Sequence, residues 1–502
     1  MNKYKQKFTS YLKGREFPSN ITTAMIIAAV VLVNVIIYTL TSQLGLYIYK
    51  PETADLSISD ASDEIFEAAI NRGLHVTVTF CMYEDSLDAH TTGVYVHETA
   101  KRFAERYPTL IGLRYVNPIT QLDSEGSFVD LSVYKYDGRG NENAILQSSV
   151  IFECGSNYKV VTDAVTSAGY ADFFTLDSSY TPTSYSGEET FASMVRWVLT
   201  DEHKVAYFTV GHGETASIDL YKTLVYAGYY VEEINLRNTK LDVTKFLSDA
   251  GLVVISNPTT DFERAAEGSG VKTEMERLKA YAEAGGSFLV TLDPLARKMP
   301  NLNAFLADYG MAIATDADGA ALVIKDSYNA IPTDDFTVVV EYATGESATS
   351  VAANIPGDKR VILRNCAPIA LSGNAEPMLV TSEHAVAYSG EDVYNRDGNY
   401  AVAAHAVADN GSRLFFMPSV FFTAADAMVS AGYSNKDFLL SLADEYYGMG
   451  DMPYGCRSVY YDSSTLENIT MSSVRVYVAV ALAIPAVLAV FGTVVIIRRR
   501  NR

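Results

Sequence analysis

Hydrophobic positions fall into two kinds of pattern along the 502 residues. Thr23 to Tyr47 and Val476 to Ile497 are unbroken apolar runs without a charge, while the region between them alternates short apolar strands with amphipathic segments. Leu74 to Phe80 (LHVTVTF) alternates as a strand, His97 to Tyr107 has the spacing of an amphipathic helix ending before Pro108, and Ile111 to Val116 is a second strand. Strand, helix and strand in this order predict a βαβ unit, with further strands at Asp130 to Tyr136 and Ser149 to Glu153.

Thr175 to Ser186 is rich in Tyr, Ser and Thr and is expected to be a linker or surface loop. An amphipathic helix, Glu188 to Leu199, follows with Ser186 as its expected cap. The most regular stretch comes next. Lys204 to Val210, Tyr229 to Leu236, Gly251 to Ser256 and Ser287 to Leu292 are strands, and Ala216 to Ala227 and Thr273 to Ala284 are helices between them. Apolar strands alternating with helices predict a parallel sheet covered on both faces. Segments shorten over 311–410, as strands and loops inserted before a late strand, Arg413 to Val420, and a helix, Asn435 to Tyr447.

The two apolar runs change the setting of this body. At 1.5 Å rise per residue, the second spans roughly 33 Å, enough for a bilayer core of about 30 Å. The first is too long for a signal-peptide core and has no small-x-small cleavage site after it. Lys3, Lys5, Lys7, Lys13 and Arg15 flank one run, and Arg498, Arg499, Arg500 and Arg502 flank the other. Basic flanks stay cytoplasmic, so residues 23–47 and 476–497 are expected to span the cell membrane with both termini inside. Residues 1–22 and 498–502 are then cytoplasmic tails, and residues from about 50 to 473 are extracytoplasmic. The tails carry +4 each, so the formal net charge of −21 leaves about −29 on the body. Such a body repels nucleic acid and stays soluble.

The sharpest local feature is Gly211-His212-Gly213-Glu214, at the carboxyl end of an expected parallel strand, where open α/β sheets bind ligands. His212 and Glu214 could serve as an acid and base or as two metal ligands. The plainer reading, which we favour, has the glycines shape the turn and Glu214 cap the following helix. A nucleophile elbow needs Ser or Cys where His212 stands, and no P-loop or dinucleotide fingerprint is present. Asn257 and Asp261 follow one strand and Asp293 another, each suited to ending a strand or closing a turn. With the GHGE turn they would line one sheet edge, the candidate surface for a ligand or partner. No catalytic residue, metal or cofactor is expected. Cys81, Cys154, Cys366 and Cys456 form no C-x-x-C, and their pairing is open.

The run KVAYFTVGHGE is similar to a segment of GldG-like proteins, auxiliary components of ABC-type transport systems linked to gliding motility. SGEETFASMVRWV, VVISNPTTDF, ERLKAYAEAGGSFLVTLDP, SRLFFMPSV and NKDFLLSLADEYY match in order and spacing. The resemblance extends from about 70 to 447 and to both spans. It implies a thioredoxin-like α/β domain over 51–174 and an amidotransferase-like (flavodoxin-like) parallel-sheet domain over 187–447, with a stalk at 448–475. At the loop where thioredoxin-like folds carry redox cysteines stands Cys81-Met82-Tyr83-Glu84, a single thiol. The implied partners are a separate ABC permease and ATPase. Rival expectations are a membrane-anchored hydrolase using His212 and Glu214, and an envelope scaffold independent of any transporter.

Overall fold

The computed structural model describes residues 56–460, apart from 163–169, 177–181, 239–242, 264–272, 333, 358, 397, 431 and 448–451. Both expected spans and both tails lie outside the described residues. Within them no helix is long and apolar enough to cross a membrane.

Among the described residues two larger sheets carry the fold, beside three smaller ones. The first follows α1 (Asp63–Asn71) and contains β1 (Val76–Phe80), α2 (Glu84–Asp88), α3 (Gly93–Arg106), β2 (Ile111–Asn117), β3 (Leu122–Asp123), β4 (Val150–Cys154) and β5 (Asn157–Val161). Its strand order is β3-β2-β1-β4-β5, with β1 parallel to β2 and antiparallel to β4. Although β1 alternates apolar residues with threonine, it is buried on both faces, and Thr79 is tolerated there because its hydroxyl accepts from Arg114 Nε at 2.9 Å. The helix expected from His97 starts earlier, at Gly93. His90 Nδ1 accepts from the main-chain N–H of Gly93 at 3.0 Å, supplying a cap that the Ser/Thr/Asp/Asn pattern does not reveal. The strand expected at Asp130 to Tyr136 is instead a 3-10 turn, Leu131–Tyr134. The Asp130 carboxylate accepts from Ser132 N and Oγ and closes the chain locally.

The expected linker also differs. Its described parts, β6 (Phe174–Leu176) and β7 (Pro182–Tyr185), pair as an antiparallel ribbon. Then α4 (Gly187–Leu199) runs buried on every side rather than on one face. Phe191 stacks on Phe103 (centroids 4.5 Å apart) and meets Phe152 edge-on, which holds α4 to the first sheet. On its other side Thr190 bonds the Tyr226 hydroxyl at 2.9 Å, and Trp197 packs on Tyr230. The helix expected to open the second domain therefore serves both sheets. Ser186 stands at its N-cap, but its hydroxyl donates to Phe173 O and makes no cap bond.

The second sheet has the parallel core expected from the apolar runs. It comprises β8 (Val205–Thr209), α5 (Ile218–Tyr226), β9 (Tyr230–Ile234), α6 (Val243–Asp249), β10 (Ala250–Ser256), α7 (Glu274–Glu283), β11 (Ser287–Thr291) and α8 (Pro300–Asp308). From 311–410 it recruits β12 (Asp334–Tyr342), β13 (Ala375–Val380) and β14 (Ala401–Val407), before β15 (Arg413–Met417) and α9 (Asn435–Tyr447). The order β9-β8-β10-β11-β15 is parallel throughout, and β14, β13 and β12 extend the same sheet antiparallel. A fully buried core centred on Val253, Ile255, Phe288, Phe305 and Phe416 covers one face. The fold is thus mixed α/β with a parallel sheet.

Residues from Ser57 onward form one unit. The segment expected to begin a stalk is, as far as it is described, part of this body. Met452 is buried, and β16 (Val459–Tyr460) adds a third strand beside β7.

Candidate functional site

The GHGE turn leaves the carboxyl end of β8. Gly211 (φ 114°) and Gly213 (φ 73°) take backbone conformations that favour glycine. Gly213 also has no room for a side chain, since a Cβ there would lie 2.2 Å from Thr259 Oγ1. That crowding reflects a fastening. The carbonyl of His212 accepts from Thr259 N at 2.9 Å, Thr260 N at 3.0 Å and the Thr259 hydroxyl at 3.0 Å. The turn after β8 is thereby pinned to the turn after β10.

The His212 side chain is wholly buried and stacks on Phe262, with centroids 3.9 Å apart. Its Nδ1 donates to Glu214 Oε1 at 2.8 Å and its Nε2 to Glu274 Oε2 at 3.0 Å. Burial opposes a charge on the ring, but the two carboxylates outweigh it and raise the imidazole to about 9. Both carboxyl groups resist burial in turn and are held below the usual carboxylate range, chiefly by hydrogen bonds from His212. Glu214 Oε2 accepts from His212 N at 2.6 Å and Glu274 Oε2 from Glu263 N at 2.8 Å. Arg237 Nε lies 3.1 Å from Glu274 Oε1, an ionic contact without hydrogen-bond alignment. Two anions and two cations alternate in a line: Glu214, His212, Glu274, Arg237.

This arrangement limits the chemistry. An imidazolium that donates through both nitrogens has no lone pair for a proton or a metal. Glu214 is spent on its own turn. It does not cap α5, because Ser217 does, its hydroxyl accepting from Leu220 N at 3.1 Å. The remaining residues of the predicted edge have structural partners. Asn257, left-handed at φ 52°, donates from Nδ2 to Thr215 O at 3.4 Å, and its buried Oδ1 lacks a partner among the described residues. Asp261 caps α8 by accepting from Asn301 N at 2.9 Å and Leu302 N at 3.1 Å. Asp293 closes its turn by accepting from Leu295 N at 2.9 Å, without a bond to the GHGE turn among the described residues. Gly211 to Glu214, Asn257 and Asp261 thus converge, with Asp293 standing apart on the same edge.

Glu274 and Arg237 escaped sequence reasoning. Glu274 opens α7 behind the cap Thr273 and reads as an ordinary helix-start acid. Only the fold brings it to His212, 62 residues away.

A second cluster was also missed. Glu84 and Asp88 on α2 and His97 on α3 place donor atoms within 4.8 Å of one another and are the group that could hold a metal among the described residues. As it stands, His97 bonds Asp88 Oδ1 at 2.8 Å and the Tyr115 hydroxyl at 2.7 Å, as a satisfied buried histidine does.

No family model and no curated protein matches the chain. Among solved structures, the N-terminal domain of IFT52 is 17% identical, covering 50% of this chain and 99% of that domain, with a TM-score of 0.35. A cytoplasmic protein from Salmonella typhimurium is 11% identical over 48% of this chain and 98% of its own, at 0.33. PurLQS from Thermotoga maritima is 14% identical over 48% of this chain and 99% of that one, at 0.28. Scores this low add nothing to the strand order, on which the fold rests.

Proposed function

We propose that the chain is a membrane-anchored, non-catalytic auxiliary subunit of an ABC-type transporter, whose extracytoplasmic body binds or gates cargo or scaffolds the permease. The observation that carries the proposal is the meeting of the body's two ends. Glu188 Oε1 accepts from Ser59 N at 2.9 Å and from the Ser59 hydroxyl at 2.5 Å, and its Oε2 accepts from Arg457 N at 2.9 Å. Chain following the first expected span and chain preceding the second converge on one buried carboxylate. A body standing on two neighbouring membrane helices needs its ends placed so.

The finer fold reading belongs to this proposal. An order of β2-β1-β4-β5 with two antiparallel strands and a closing helix supports the thioredoxin-like domain, and the parallel run β9 to β15 supports the amidotransferase-like one. Neither carries the chemistry of its namesake in our reading. The lone thiol Cys81 is buried and pushed up to about 12 by desolvation, and the GHGE turn holds an imidazolium where a nucleophile would stand. The transporter partnership comes from the resemblance to GldG-like proteins.

Affinity purification of the tagged full chain from native membranes in a gentle detergent tests the proposal. Co-purification of an ABC permease and its ATPase is expected. Recovery of neither, under conditions that keep other transporters intact, would overturn it.

A further inference from the structure

A cavity of about 320 Å³ opens where the β6-β7 ribbon, α5, α9 and the closing segment Pro453 to Ser458 come together. That size is at the small end for sites of small molecules. Most charged groups lining it already have a partner. Lys222 lies 3.0 Å from Asp172, and Lys436 lies 2.6 Å from Glu189. Arg457 is engaged with Ser57.

Three groups are left over. Asp219 and Asp437 face the cavity from the first turns of α5 and α9, and neither carboxyl forms an ion pair or a hydrogen bond to another residue among the described residues. A helix start favours an acid, yet burial pushes both carboxyl groups up despite Lys222 and Lys436 near Asp219 and Lys436 and Lys359 near Asp437. The Lys359 ammonium likewise lacks an ion-pair partner among the described residues. Two unmatched carboxyls and one unmatched ammonium in a single small cavity lack a counterpart with the reverse arrangement. Tyr226 and Tyr433 add aromatic walls.

We propose that this cavity binds a small zwitterion, a free amino acid or dipeptide, its ammonium on Asp219 and Asp437 and its carboxylate on Lys359. The site is distinct from the GHGE edge and does not depend on the transporter reading. Because Pro453 to Ser458 forms one wall, a bound zwitterion would also hold the closing segment against the body.

Thermal unfolding of the full chain in detergent, titrated with L-alanine and with alanylalanine up to about 10 mM, provides the test. A rise in midpoint with either is expected. N-acetyl-alanylalanine, lacking the ammonium, and alanylalaninamide, lacking the carboxylate, should each bind about tenfold more weakly or worse. Asp437→Asn and Lys359→Gln should weaken binding of the parent dipeptide by a similar factor, and each variant's unliganded midpoint reports whether it folds. No shift with alanine or alanylalanine overturns the proposal. So does binding that survives both end-blocking changes, or that is unchanged in folded Asp437→Asn and Lys359→Gln variants.

Discussion

The guanidinium of Arg457 donates to the hydroxyl of Ser57 across 2.5 Å, between residues 400 apart in the chain. Behind this contact Glu188 bonds both segments through its two carboxylate oxygens. The acid sits on α4, the helix that both sheets share, so the fastening of the ends is also a fastening to the middle of the fold.

Glu188→Ala should therefore loosen the ends before the core. The main-chain N–H groups of half-buried Ser59 and exposed Arg457 lose a buried acceptor, which costs about 1–2 kcal/mol. A lower thermal midpoint is expected, along with faster proteolysis within 452–460 than in the parallel sheet. Glu188→Gln retains one carbonyl oxygen and should fall between. Equal protease resistance of Glu188→Ala and wild type would show that the ends are held by something else.

Gly211 and Gly213 separate two costs that glycine commonly hides. At Gly211 a Cβ finds nothing nearer than 3.8 Å, so Gly211→Ala costs backbone strain alone, about 1 kcal/mol. Gly213→Ala adds the collision with Thr259 Oγ1 and should cost about 2 kcal/mol more. Urea midpoints should rank wild type above Gly211→Ala above Gly213→Ala. In the Gly213→Ala background, Thr259→Ala should then be less damaging than in the wild type, a coupling measurable by a double-mutant cycle.

The sequence disclosed what depends on local pattern. Lys204 to Val210, Gly251 to Ser256 and Ser287 to Leu292 were legible as strands because apolar runs ending at turns have few other uses, and they match β8, β10 and β11 within two residues. The burial of α4 was not legible. Glu188, Glu189, Thr190 and Arg196 resemble a solvent face, and only distant partners such as Ser59, Lys436 and Tyr226 make their burial tolerable. The site divides the same way. The two glycines announced a tight turn, but the second carboxylate on His212 and the capping of α8 by Asp261 depend on pairings 62 and 40 residues long.

Cys81 offers a check on the redox-inert reading. Desolvation raises its thiol to about 12, and Arg114 nearby only partly offsets this. A thiol so placed is almost entirely protonated at neutral pH and shielded from reagents. Iodoacetamide at pH 7.5 should leave Cys81 unmodified in the folded chain and alkylate it after denaturation, as read by peptide mass spectrometry. Cys81→Ala should leave the oxidation state of the remaining thiols unchanged. Rapid alkylation of the native protein at Cys81 would restore a redox role.

The alternating charges at His212 give the fold a pH dependence whose direction is fixed. Its folded value of about 9 lies above the ordinary 6.5, so its contribution to stability is fully present below pH 6.5 and is lost as pH rises through 9. That difference corresponds to about 3 kcal/mol. Glu214 and Glu274 act in the opposite sense. Their folded values lie below 4.5, so their contribution is present above that pH and disappears as the medium becomes more acid. Denaturant midpoints should therefore decline from about pH 6.5 towards pH 9. Below pH 6.5 the buried His405 and half-buried His203, both neutral, and then the two glutamates each lower them as the medium becomes more acid. His212→Gln keeps a planar polar group but cannot carry the charge. It should lower stability at pH 6 and flatten the alkaline decline, leaving wild type and variant closer together at pH 9.5. A variant whose alkaline decline matches the wild type would place the titrating group elsewhere.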